Sequence, residues 1–329
     1  MRTDDIQPAL FETRQFHKAT SAAPILKPDF FILGAPKCGT TSLAAWLGGH
    51  PQVFISPIKE PHFFNTDDRQ GIATLDAYEA LFRRAAPHHR AIGEASVWYL
   101  SSTQAVANIL RYQPAARFVV MLRNPLEMAP ALHAEMLLSG HENVRHFRTA
   151  WDLQHARREG RALPPLSWAR RRLLYGEVCA LGVQLQRLLQ MVPAHRVFPI
   201  VLDDMIADPR REYLRLLTFL RLNDDGRAVF PVYNQARALR WPSLARAMFV
   251  AGQLKRRAGI TRSLKLWEWL SAINRAEGPR APLPPETAAL LRRHFSDDVT
   301  LLGRQLGRDL RHWLIEAQAP RGGGASQSY

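Results

Sequence analysis

The sequence predicts an α/β fold, a central parallel sheet flanked by helices with additional helices toward the C-terminal end. Three observations predict it. Short apolar runs at 29–34, 91–95, 117–123 and 196–202 show no alternation of polar and apolar residues, as suits strands buried on both faces of a parallel sheet. Helical patterns at 41–48, 76–84, 102–112 and 172–191 lie between them, the arrangement that right-handed βαβ crossovers require. The first run, Phe30-Phe31-Ile32-Leu33, leads straight into Gly34-Ala35-Pro36-Lys37-Cys38-Gly39-Thr40-Thr41 and a helix start at Ser42-Leu43-Ala44.

That first unit is a phosphate cradle. Backbone N–H groups at a helix N-terminus point at an anion, and the helix dipole favours it. The core is therefore P-loop-like, yet its lysine is displaced. A nucleotide-triphosphate loop places lysine directly after the second glycine, beside a hydroxyl that holds Mg²⁺. Here Thr40 follows Gly39, and the lysine sits inside the loop as Lys37. This pattern favours a metal-free anion site with a lysine near the transferred group. Cys38 has two readings. The helix N-terminus would lower its pKa and make it reactive, or it is a small residue filling a tight turn, which is the favoured reading.

The remaining elements follow in order. Residues 1–24 read as a loosely attached N-terminal arm ending at Ala22-Ala23-Pro24. Arg123 ends an apolar run, and Pro125 forces Asn124 to be extended, so the chain leaves the sheet at once. Within 172–191, Leu173, Leu174, Val178, Leu181, Leu185, Leu188 and Leu189 recur at helical spacing. Pro209 starts a helix carrying Tyr213, Leu214, Leu216, Leu217 and Leu220. Pro282, Pro284 and Pro285 open a final helix through Leu290, Leu291, Phe295, Val299 and Leu302. Residues 25–318 are expected to form a single domain, and 319–329 a flexible tail.

Composition excludes several classes. The chain has 329 residues, 47% hydrophobic and 22% charged, an ordinary globular balance. It contains no run of about 18 or more apolar residues that could span a bilayer. Its start, Met1-Arg2-Thr3-Asp4-Asp5, carries acids where a signal peptide needs basic then apolar residues. A soluble, unexported, cytoplasmic protein is expected. Two cysteines, Cys38 and Cys179, cannot make a disulfide framework. The net charge of +15 attracts polyanions, but no nucleic-acid-binding signature accompanies it, so no nucleic acid partner is expected. HExxH, GxSxG and GxGxxG are absent, and His133-Ala134-Glu135 lacks the P-C-x-x-C that would complete a deaminase zinc site. No metal is expected. Residues 243–273 mix Trp267, Trp269 and leucines with basic side chains. They are read as helices packed on the core, with an anionic membrane or an acceptor cleft as the other possible contact.

The chain resembles the sulfotransferases that use 3′-phosphoadenosine 5′-phosphosulfate (PAPS). The likeness rests on Lys37-x-Gly39-Thr40-Thr41, Lys59-Glu60-Pro61-His62-Phe63-Phe64, Gly93-Glu94-Ala95-Ser96, Leu122-Arg123-Asn124-Pro125 and Leu202-Asp203-Asp204-x-x-Ala207-Asp208-Pro209. These pieces fall in family order from about residue 28 to about residue 315. The resemblance implies PAPS as co-substrate, 3′,5′-phosphorylated adenosine as product, and an acceptor hydroxyl on a glycan, lipid or small metabolite.

By the same resemblance, Lys37, Cys38, Gly39, Thr40, Thr41 and Ser42 form the 5′-phosphosulfate loop, and Arg123 takes the 3′-phosphate. Glu60 matches the family's catalytic base, with His62 as the second candidate. A base of this kind needs a pKa useful near neutrality, which Pro61, Phe63 and Phe64 are expected to provide by desolvating Glu60. Glu94 and Ser96 end a strand on the acceptor side. The chain departs from the pattern at Ala131, where family members usually carry a serine for the 3′-phosphate, and at Pro130, expected to disturb the helix start. His133 could substitute for the serine. Two alternatives stay open: a non-catalytic descendant that binds an anion or glycan, and a P-loop kinase or NTPase using Asp203 and Asp204 for Mg²⁺.

Overall fold

β1 (Phe30–Ile32) lies at the centre of a five-stranded sheet ordered β2 (Val53–Ile55), β3 (Ala91–Ala95), β1, β4 (Arg117–Leu122), β5 (Val197–Val201). Every neighbouring pair is parallel. The computed structural model describes residues 25–68, 71–165, 167, 170–233, 237–239, 242–257, 275–277 and 282–315. The arm at 1–24, the tail at 319–329 and the part of the 243–273 stretch beyond 257 lie outside them. The sheet is buried on both faces because its strands carry apolar side chains at successive positions: Phe30 to Leu33 and Phe118 to Leu122 are fully buried. The continuous apolar runs thus reflect two covering layers of helices.

The helices are α1 (Thr40–Gly48), α2 (Leu75–Glu79), α3 (Ala105–Tyr112), α4 (Pro125–Leu138), α5 (Phe147–Asp152), α6 (Gln154–Arg158), α7 (Tyr175–Val178), α8 (Leu181–Met191), α9 (Leu202–Ala207), α10 (Pro209–Leu220), α11 (Pro242–Arg257) and α12 (Pro285–Leu306). Three starts follow their sequence signals. Asn124 accepts the Leu126 N–H at 3.0 Å ahead of Pro125. Asp208 accepts the Arg211 N–H at 2.9 Å ahead of Pro209. Pro285 opens α12.

The structure corrects other expectations. The 172–191 periodicity is not one helix but a 3₁₀ turn at Arg170–Leu173, then α7, then α8. The start of α8 is capped from outside, since Asp298 of α12 accepts the N–H groups of Gly182 and Val183 at 3.0 and 2.9 Å. Helix 76–84 ends early, giving way to a 3₁₀ turn at Ala80–Phe82. β2 has no counterpart in the expected strands; three residues at a sheet edge are too few to register a period. Pro130 does not disturb α4, which runs through it unbroken, the missing N–H costing a single ladder bond to the Leu126 carbonyl.

Behind α4, Arg157 and Glu142 form a fully buried pair, with Nη1 and Nη2 at 2.7 and 2.9 Å from the two carboxylate oxygens. Tyr175 donates its hydroxyl to the same carboxylate at 2.8 Å. This cluster fixes the chain that follows α4 and so fixes the helix wall of the cleft described next.

Candidate active site

The segments leaving β1, β2, β3, β4 and β5 gather at the carboxyl edge of the sheet, where open α/β folds hold their ligands. They border a cleft of about 780 Å³, a volume suited to a ligand of nucleotide size. The loop after β1 forms its floor. Gly34 is required there because its φ is +116° and a Cβ would stand 2.2 Å from the Val97 carbonyl oxygen. Gly39, with φ +87°, adopts the left-handed conformation as the residue preceding α1, which turns the N–H groups of the first helical turn toward the cleft.

Lys37 itself has φ +64°, an uncommon conformation that sites over-determined by their surroundings tolerate. Its Nζ lies 3.0 Å from Glu135 Oε2 on α4. Arg123, at the end of β4, donates from Nη1 to the Lys37 carbonyl at 2.9 Å and from Nη2 to Glu127 at 2.9 Å. The sheet order explains this contact, because β1 and β4 are neighbours. Thr40, Thr41 and Ser42 line the same floor. Ser42 also accepts the Tyr233 N–H at 3.0 Å, so its hydroxyl ties the 222–233 segment to α1.

Cys38 turns the other way. Its side chain is fully buried, with Sγ 3.4 Å from the Pro36 carbonyl oxygen. Burial pushes the thiol up to about 12. The helix N-terminus does not make it reactive, and any contact of Cys38 with a cofactor would come from its main chain.

The opposite wall comes from the segment after β2. Glu60 lines the cleft with Lys59. Lys59 Nζ is 2.9 Å from Oε1, and His62 Nε2 is 2.9 Å from Oε2. Burial alone would raise the carboxyl, but the His62 hydrogen bond and the Lys59 charge outweigh it and hold it at about 2. Burial does desolvate Glu60, but the expectation that this brings its pKa near neutrality is corrected. Phe64 packs inward on Phe31, Tyr78 and Tyr99, leaving two cationic or hydrogen-bonding partners to dominate the carboxylate. His62 stands behind Glu60, 7% exposed, and is not among the residues bordering the cleft. Glu60 and His62 both have positive φ, +70° and +50°. Trp98 and Arg172 complete this end, the Arg172 guanidinium 4.4 Å from the Trp98 ring centre.

Sequence reasoning missed the apolar end of the cleft, where Trp46, Met205, Ile206, Phe230 and Tyr233 converge. The Trp46 ring meets Phe230 edge-on at 5.0 Å, and its Nε1 donates to the Pro231 carbonyl at 2.9 Å. The available signal was Trp46, one helical turn beyond Ser42; its partner segment has no periodicity to betray it. His133 does not replace the missing serine. It is buried on the far face of α4, with Nε2 2.8 Å from the Val144 carbonyl oxygen and its ring near Phe147 and Tyr175. Ala131 is fully buried as well.

The sulfotransferase domain family matches residues 27–229, more than half of the chain. The chain belongs to the sulfotransferase family. Human carbohydrate sulfotransferase 15 is 36% identical over 144 residues, covering 30% of this chain and 26% of that protein. Human heparan sulfate glucosamine 3-O-sulfotransferase 6 is 27% identical over 196 residues, covering 59% and 52%. The chain thus spans about a quarter to a half of the length of these curated relatives. A sulfotransferase from Alicyclobacillus acidocaldarius shares the fold with a TM-score of 0.65, at 24% identity, over 88% of this chain and 99% of that one.

In this sulfotransferase Asp203 and Asp204 are both engaged by residues near the C-terminal end of the described chain. Asp203 accepts Trp313 Nε1 at 2.8 Å and Asp204 pairs with Arg308. Among the described residues no helix is long and apolar enough to cross a membrane.

Proposed function

We propose that this sulfotransferase moves a sulfuryl group from PAPS to a hydroxyl acceptor, with Glu60 as base and Lys37 as the charge that meets the leaving phosphate. The observation that carries the reading is the placement of Lys37 and Glu60 on the same cleft, one on the phosphate loop and one on the wall after β2. The residues fit the donor. A loop with a helix N-terminus, Lys37 and threonine hydroxyls suits a phosphosulfate, Arg123 suits a second phosphate, and Trp46 with Phe230 suits a planar base.

The donor supplies a sulfuryl group on a phosphate leaving group. Glu60 accepts the acceptor's hydroxyl proton as its oxygen bonds to sulfur; Lys37 neutralises charge that gathers on the departing side, and the loop N–H groups hold the phosphate without rearranging. Because Glu60 stays ionised, it is always ready to receive the proton, and its low basicity is offset when the attacking oxygen loses electrons to sulfur. Trp98, Lys59 and Arg172 beside Glu60 favour a hydroxyl-rich acceptor, a carbohydrate in the first instance. The kinase reading is disfavoured by the absent lysine after Gly39 and by the engagement of Asp203 and Asp204.

Mass spectrometry of acceptor panels incubated with PAPS tests the reading. The gain of one SO₃ unit on a hydroxyl compound supports it. Acceptor binding without any transfer would favour instead the non-catalytic glycan-binding descendant, to which Ala131 and the Glu127 contact of Arg123 point.

A further inference from the structure

Glu94 is a carboxylate in the wrong place for a structural filler. It lies on β3 in register with Phe31 of β1, fully buried, three residues before the chain reaches the cleft wall at Val97. Burying a charge among aromatic rings is costly unless its lone pairs are filled. They are filled by three hydroxyls: Tyr78 and Tyr99 donate to Oε1 at 2.9 and 3.0 Å, and Ser96 donates to Oε2 at 2.8 Å.

Two of these hydroxyls have a second task. Ser96 Oγ accepts the main-chain N–H of His62 at 3.2 Å, and the Tyr99 hydroxyl accepts that of Phe64 at 3.3 Å. A hydroxyl whose proton is committed to a carboxylate must turn its lone pairs elsewhere. The carboxylate therefore fixes Ser96 and Tyr99 as acceptors for two main-chain N–H groups on either side of Phe63. Those groups anchor the turn in which Glu60 and His62 both take positive φ, a conformation that needs outside support. His62 then passes the constraint on, with Nε2 2.9 Å from Glu60 Oε2.

We propose that Glu94 is a positioning residue for the catalytic carboxylate, acting through Ser96, Tyr99 and the main chain of His62 and Phe64 to aim Glu60 into the cleft. The inference rests on Glu60 being the base. The groups facing Glu94 are Tyr78 from α2, Ser96 and Tyr99 from the segment after β3, and Glu60 and His62 from the turn after β2. Burial lifts Glu94 to about 7, with the Glu60 charge adding to the lift, while Glu60 itself stays at about 2. A protonated Glu94 must donate one hydrogen bond where it accepted three, which frees a hydroxyl to rotate. An acid limb of turnover near neutral pH is the expected signature of this arrangement.

The test combines pH–rate profiles with amide hydrogen exchange in Glu94→Gln, Ser96→Ala and Tyr99→Phe. Each is expected to lower kcat about tenfold or more while the affinity for 3′,5′-phosphorylated adenosine stays within about twofold. In Glu94→Gln the acid limb should vanish, and exchange at the His62 and Phe64 amides should quicken while β1 and β4 amides stay protected. An acid limb retained in Glu94→Gln, a kcat near that of the unmodified protein, or a loss of nucleotide affinity in step with kcat would overturn the proposal. If Glu94→Gln does not fold, the two hydroxyl variants carry the same kcat and exchange comparison. Failure of the unmodified protein to transfer sulfate would defeat the functional reading alone; unchanged His62 and Phe64 exchange in the variants would defeat this inference alone.

Discussion

His62 Nε2 stands 2.9 Å from Glu60 Oε2 while Lys59 Nζ holds the other oxygen at the same distance. Both partners stabilise the ionised form, which is why the carboxyl sits at about 2 despite its burial. Glu60→Gln keeps the shape and removes the proton acceptor. It is expected to lower kcat by about 100-fold or more with the fold intact, measured by steady-state sulfate transfer alongside thermal unfolding. A group depressed in this way adds stability that is complete above its ordinary carboxylate range and is lost as pH falls through about 2. Glu60 therefore sets no limit on stability or rate in mildly acidic buffer.

Lys37→Ala should also remove most turnover, by about 100-fold or more, because a preorganised cation facing developing charge is lost. Stability should barely change. The Lys37–Glu135 pair is 23% and 40% exposed, and exposed pairs contribute about 0–1 kcal/mol. Comparing kcat with the unfolding midpoint separates the two effects.

Arg157→Ala reverses that pattern. Removing the guanidinium strands the fully buried Glu142 carboxylate, an uncompensated charge expected to cost about 3–5 kcal/mol. Denaturant unfolding should show the loss, and the wall of the cleft formed by α4 should loosen with it.

Cys38 tests the direction of the loop. Its thiol, pushed up to about 12 by burial, should resist alkylation in the folded protein at mildly alkaline pH and react once the chain is denatured. Mass spectrometry after brief treatment with iodoacetamide gives the answer; rapid native labelling would mean that the side chain faces the cleft.

Much of the fold was legible because both sheet faces are covered, so β1, β4 and β5 appear as apolar runs and β3 as one interrupted only by Glu94. The loop was legible because a strand, two glycines and a helix start must adjoin in sequence to make it. Lys37, Glu60 and Arg123, each singled out by its motif, all border one cleft. What stayed hidden depends on contacts between distant segments. The start of α8 is set by Asp298, 116 residues away from Gly182. The Trp46–Phe230 chamber joins a helix to an aperiodic segment, and the low pKa of Glu60 follows from a His62 ring direction that the neighbouring phenylalanines do not dictate.

Calorimetric titration with 3′,5′-phosphorylated adenosine in the presence of a chelator tests the central claim most directly, that the Lys37 loop receives a sulfate donor. The account predicts saturable binding without metal, weakened about tenfold or more when Arg123 is replaced by alanine, which removes its charge-assisted contacts. No binding of this nucleotide, together with tight binding of ATP that requires Mg²⁺, would contradict it.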